Sequence, residues 1–247
     1  MESDALLSRV RKLLAMAEAE ELSEQARLSY NAKAADLIAR YGIDQALLAE
    51  RDGRRADAAD LSIDLEAPYA RDKLDLLATV AVALGCRVVR TTVPRPGGVV
   101  GQRAHLFGMT PDLDRTQILF TSLLVQQALG LAAAAVPRGE DARAFRRSWM
   151  AGFAMAIGAR LRAAEARARA EYRSPTGSGG RAVELVLADR SALVEAHLAT
   201  VYPRLRSSPP RRLSGSGVAE GELAGRRADI GTGRVGSPRR GALGPSR

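Results

Sequence analysis

One cysteine, Cys86, stands in 247 residues, so no intramolecular disulfide can form. Histidine is nearly as scarce, with only His105 and His197. Two isolated imidazoles and one thiol make no zinc site of known spacing, so no metal and no other cofactor is expected. Aromatic residues are 4% of the chain. The core must therefore rest on Leu, Val, Ile and Ala, and no aromatic ladder is available to stack single-stranded bases. Walker, Ser-x-x-Lys and Gly-x-Ser-x-Gly patterns are all missing, which leaves no catalytic residue to name from a motif. The N-terminal stretch carries acids early and lacks an uninterrupted apolar run, unlike a secretory signal. With the lone thiol, this points to a reducing cytoplasm.

Lysine is the other deficit. Only Lys12, Lys33 and Lys73 stand against 34 arginines, and the formal net charge is +9. A GC-rich genome accounts for the Arg/Lys ratio but not for the charge. A chain this basic is drawn to polyanions by summed Coulomb attraction. Residues 207–247 alone hold eight Arg against three acids, together with nine Gly and four Pro. That composition is expected to be disordered, because it buries too little apolar surface to offset its chain entropy.

Apolar spacing gives helices over most of the rest. Leu6, Val10, Leu13, Leu14 and Ala17 make one stripe, and a second helix runs from about Glu24 to Tyr41 behind Ser23 as N-cap. Gly42 then sits where a left-handed residue ends a helix, and Asp44 starts a short third one. Residues 53–67 are polar and read as a linker. Pro68 is expected to open a helix that Gly85 ends. "CRVVRTTV" and "VVGQRAHLF" read as two strands joined by "PRPGG". Thr110-Pro111 starts an uncharged helix through Thr116–Pro137, with Asp112 and Asp114 at the positive end of its dipole. It is long enough to span a bilayer, but Gln126 and Gln127 at its middle favour a core helix buried on most sides, and no membrane is expected. A long helix from about Glu140 to Tyr172 and another from about Val183 to Tyr202 follow.

The expected fold is mainly α (α+β). It has a helical N-terminal module (1–52), a linker (53–67), an α-β-β-α-α-α body with one small β-hairpin (68–206) and a disordered Arg/Gly-rich tail (207–247).

The N-terminal module carries a resemblance. "RVRKLLAMAEAE" followed by "EQARLSYNAKAADLIARYGID" resembles the domain of unknown function 2786 (DUF2786) family, most strongly over residues 6–44. Leu13, Leu14, Ala15 and Ala17 match its first helix. Ala34, Leu37, Arg40, Tyr41, Gly42 and Ile43 match the second, while Ile38 stands where Met is common. Later stretches such as "RRSWMAGFAMAIGARL" are similar to actinobacterial or phage-borne members. The resemblance implies a soluble bacterial protein and carries no activity over to any residue.

Two patterns invite chemistry. "GTGRVG" at Gly231–Gly236 fits G-x-G-x-x-G, but no strand precedes it and no acid stands among the eleven residues after it, so a dinucleotide site is not expected. Cys86 and His105 would lie diagonally across the hairpin, where a His could activate a thiolate. No oxyanion loop or orienting acid accompanies them.

The leading functional expectation is a non-catalytic nucleic-acid-associated protein binding without sequence specificity. The residues expected to carry it are Arg143, Arg147, Arg162 and Arg169 on the long helix, with Arg226, Arg227, Arg234, Arg239 and Arg240 in the tail. The alternative is a protein adaptor, acting through the N-terminal helices or by self-association of the long helix. A hydrolase or other enzyme using Cys86 and His105 is third.

Overall fold

A computed structural model describes residues 57–94, 100–172, 180–207, 211–228 and 230. The three N-terminal helices, the "PRPGG" turn after Pro94 and "GTGRVG" lie outside the described residues, as do Arg234, Arg239 and Arg240.

The described chain is mostly helical around a small sheet: β1 (Ala58–Leu65), α1 (Ala70–Ala83), β2 (Arg87–Pro94), β3 (Val100–Met109), α2 (Thr110–Ala133), α3 (Ala142–Tyr172), α4 (Gly180–Val201) and α5 (Val218–Arg227). The sheet has three antiparallel strands in the order β1-β3-β2. The expected hairpin is therefore β2–β3, and β1 is an addition that corrects the linker assigned to 53–67. "DLSIDL" alternates with the period of a strand: Leu61, Ile63 and Leu65 turn toward the core while Asp60, Ser62 and Asp64 turn outward. Its charges hid that alternation behind apparent polarity.

The strands divide the core by their two-residue period. Leu65, Ala104 and Leu106 join the main core with α1, α2 and α3. Val89, Phe107 and Met109 face the other way and pack on Val194 and Leu198 of α4. Helix α1 begins at Ala70, after Tyr69 at φ 61°, so Pro68 precedes the helix and does not open it. Gly85, at φ 88°, ends α1 as expected, because a left-handed residue there closes the last turn.

Helix α2 starts one residue earlier than its expected cap, with Met109 at the N-cap and Thr110 already helical. It is the one described helix long and apolar enough to cross a membrane by length and composition. Leu119, Phe120 and Leu123 are buried, yet Val125 and Leu129 are 48% and 68% exposed. One face is packed, not most sides.

The largest correction concerns the tail. Residues 218–227 form α5, laid along α3, and Ile230 is fully buried in the main core. The glycines counted as chain entropy are the means of contact. Gly217, Gly221 and Gly225 recur every four residues, which puts them on one helical face. A methyl on Gly221 would lie 1.9 Å from the Trp149 carbonyl oxygen, and one on Gly225 would lie 2.6 Å from that of Phe153. Gly152 on α3 faces the Val218 carbonyl as closely, at 2.0 Å. Polar contacts hold both ends. Glu140 accepts from the Ser216 main-chain N–H and hydroxyl at 2.7 and 2.6 Å. Arg160 donates to the Gly225 and Ala228 carbonyls, filling acceptors that the last turn leaves open.

Candidate functional site

Two carboxylates on α1 organise a group of arginines from distant parts of the chain. Asp72 and Asp75 lie three residues apart, so they share a face. Arg211 spans them, donating to Asp72 Oδ1 and to Asp75 Oδ2, each at 2.6 Å. Arg90 of β2 donates to the other Asp75 oxygen, and Arg147 of α3 stands 3.6 Å from Asp72. Around this core run two adjoining cavities that share Leu213. One, of about 740 Å³, is lined by Arg71, Arg90, Arg206 and Arg211. The other, of about 390 Å³, is lined by Arg143, Arg147 and Arg212. Among the described residues, seven guanidinium groups meet three carboxylates, Asp72, Asp75 and Asp141, an excess of four positive charges. Arg71, Arg143, Arg206 and Arg212 make no ion pair among the described residues.

The arginines expected to act together are dispersed. Arg143 and Arg147 line this groove. Arg162 packs its side chain near Gly158 and Thr79, and Arg169 lines a different cavity. Arg226 pairs with Glu222 at 3.1 Å on exposed α5, with Arg227 exposed beside it. Arg71, Arg90, Arg206, Arg211 and Arg212 escaped the sequence reading. Only the "RR" after Pro209-Pro210 offered a local signal, and it was absorbed into the tail.

Cys86 and His105 are not brought together. Val89 pairs with His105, so the residue before Arg87 reaches Gly108, where an added methyl would meet Cys86 Sγ at 2.7 Å. Cys86 lies in the main core, whereas His105 lies on the α4 side of the sheet. Burial pushes the thiol up to about 12. Its polar neighbour is the Thr116 hydroxyl at 3.7 Å.

His105 has other partners. Asp60 of β1 accepts from His105 Nε2 and from His197 Nε2 of α4, both at 2.8 Å. A carboxylate can only accept, so each Nε2 carries a proton, and Nδ1 of neutral His105 accepts from the Tyr202 hydroxyl at 3.0 Å. Asp60 thus fastens α4 to the sheet through His197, and His105 does so through Tyr202 just beyond the end of α4. No group of three or more His, Cys, Asp or Glu able to hold a metal ion occurs among the described residues.

Hydrogen bonds from His105, then from His197, hold the Asp60 carboxyl below its ordinary 3.8, with burial opposing them. A depressed folded-state pKa adds stability above 3.8 that is lost as pH falls through the lower folded value. Asp60→Asn should therefore be less stable than wild type near neutral pH. The gap should close as pH drops below 3.8, in thermal melts followed by circular dichroism. A gap unchanged down to pH 2 would contradict this assignment.

A second set of charges is buried. Asp112, one turn before Arg115 on α2, accepts from Arg115 Nη2 at 2.7 Å and from Arg190 Nη2 of α4 at 3.1 Å. Arg115 Nη1 reaches Glu165 of α3 at 2.9 Å, and Nη2 also donates to the Leu84 carbonyl at 3.3 Å. All four side chains are at most 12% exposed. Burial works against the Arg115 charge, and the carboxylates of Asp112 and Glu165 more than offset it, so its pKa rises. Burial lowers that of Arg190 despite Asp112. Asp112 does stand in the first turn of α2, but its chief partners are these two guanidiniums, more than the helix dipole to which the sequence reading assigned it.

No curated protein and no solved structure matches the chain. Residues 5–45 match, at the level of a domain, the family described as protein of unknown function (DUF2786).

Proposed function

We propose that this chain is a non-catalytic, cytoplasmic nucleic-acid-associated protein that holds a phosphate backbone in the arginine groove between α1, α3 and residues 205–206 and 211–214. The observation that carries the reading is the excess of four guanidinium groups around two adjoining cavities. Four of these arginines make no ion pair among the described residues. Guanidinium forks match phosphate oxygens in pairs, and Asp72 and Asp75 keep three of the arginines in fixed positions. Among the described residues the groove lining contains no aromatic ring, so this reading gives base stacking no part and rests recognition on backbone charge.

The test is fluorescence anisotropy with duplex DNA and single-stranded RNA across a salt series. Four phosphate contacts give a slope of log affinity against log salt of about −3 to −4 on duplex DNA. Replacing Arg71, Arg143, Arg206 and Arg212 together by Gln should abolish most of that slope. Arg162→Gln and Arg226→Gln should leave it unchanged. Equal binding by the quadruple variant, or none by wild type at low salt, would sink the reading. A second reading, a protein partner, is favoured by the exposed Val125 and Leu129 on the stretch of α2 after Arg115, which carries no charge. Absence of nucleic-acid binding would promote it.

A further inference from the structure

The geometry points to a binding site for an amphipathic anion, one acidic head on an apolar body, in the cavity where α3 and α4 meet the end of α1 and the start of α2. The cavity holds about 510 Å³, within the usual range of small-molecule sites. Sequence spacing builds its walls. Leu187, Ala188, Ser191 and Val194 recur at three- and four-residue steps and present one face of α4. Glu165 and Arg169, one turn apart on α3, form a second wall, and Val82 to Gly85 close the α1 end.

The charges decide the ligand class. The Asp112–Arg115–Glu165–Arg190 network forms the polar floor, and its two cations and two anions match one another. Arg87 is held by Glu195. Glu184 has its own interaction partner. Arg169 remains: exposed, lining the cavity, and in no ion pair among the described residues. Of the charged groups in the lining, Arg169 is the one placed to offer its charge to a ligand head. The rest of the lining, Val82, Leu84, Met109, Leu187 and Val194, offers apolar contact to the body. A buried, neutral four-charge floor is costly relative to packed apolar side chains of the same volume, so it contributes little to stability by itself.

The probe is 8-anilinonaphthalene-1-sulfonate, an apolar ring system with one sulfonate, titrated into the full-length protein by fluorescence. One saturable site is expected. Arg169→Glu, an exposed substitution, should weaken binding at least tenfold with the melting temperature unchanged. Ala188→Trp should block the cavity and weaken it as much. Octanoate should displace the probe, and 1-octanol at equal concentration should not. Unchanged probe binding in both variants, or no saturable binding at all, would overturn the site. Equal displacement by octanol would overturn the acidic head. None of these residues lines the arginine groove, so failure here leaves the nucleic-acid reading standing.

Discussion

Deleting residues 207–247 should destabilise the protein severely, whereas deleting only 232–247 should leave its unfolding free energy within about 0.5 kcal/mol of wild type. The longer deletion removes α5 and Ile230. It uncovers the α3 face that carries Phe145, Trp149 and Phe153, all at most 2% exposed. Uncovering this packed face of α3 and losing a buried Ile costs on the order of 4 kcal/mol at about 25 cal/mol per Å². Gly221→Val should reproduce much of that loss without shortening the chain. Its side chain would have to enter where a methyl is already 1.9 Å from the Trp149 carbonyl, so the helices must separate. Urea denaturation of the three proteins, followed by tryptophan fluorescence, checks both statements. Equal midpoints for wild type and the 207–247 deletion would mean that α5 does not pack on Trp149.

The glycines of α5 show where a sequence reading runs out. Composition treats nine glycines in 207–247 as lost order. Position distinguishes them: at a four-residue spacing, three glycines are a smooth face that lets main chain meet main chain. The stripes of α1 and α3 were legible because a buried helix face repeats Leu, Val and Ala within one short segment. β2 and β3 were legible for the same local reason. β1 was not, because Asp60 and Asp64 broke the apparent run, although both serve the fold. Asp60 binds the two histidines and Asp64 pairs with Arg103 at 2.5 Å.

The candidate sites were harder to read for a physical reason. Arg211 meets Asp72 across 139 positions of sequence, and Arg190 meets Asp112 across 78. No local period encodes such pairings. Asp112 in particular had a sufficient local explanation in the helix dipole, worth at most about 2 kcal/mol. The tertiary partners outweigh it. Arg143 and Arg147 could be named from α3, yet the groove they line is completed by β2, the start of α1, Arg206, Arg211 and Arg212.

Arg115→Met should cost about 3–5 kcal/mol, the loss typical when one member of a buried ion network is removed. The cost arises less from the vanished attraction than from what stays behind. Glu165 loses its partner, and Asp112 keeps only Arg190. Two carboxylates buried to at most 12% exposure then lack half their compensation. This gives the variant its own pH signature. A carboxylate buried without a partner has a folded-state pKa above its unfolded value of about 4. Its protonated form is the one the fold tolerates, so the deficit should shrink as pH falls toward about 4 and grow as pH rises to 7. Adding Asp112→Asn and Glu165→Gln to Arg115→Met should recover a large part of the stability at pH 7 by removing the stranded charges. Denaturant unfolding of wild type, Arg115→Met and the triple variant at pH 4.5 and pH 7 measures each step. A deficit for Arg115→Met that is the same at both pH values, with no recovery in the triple variant, would show that Arg115 acts through packing of its stem and not through its charge.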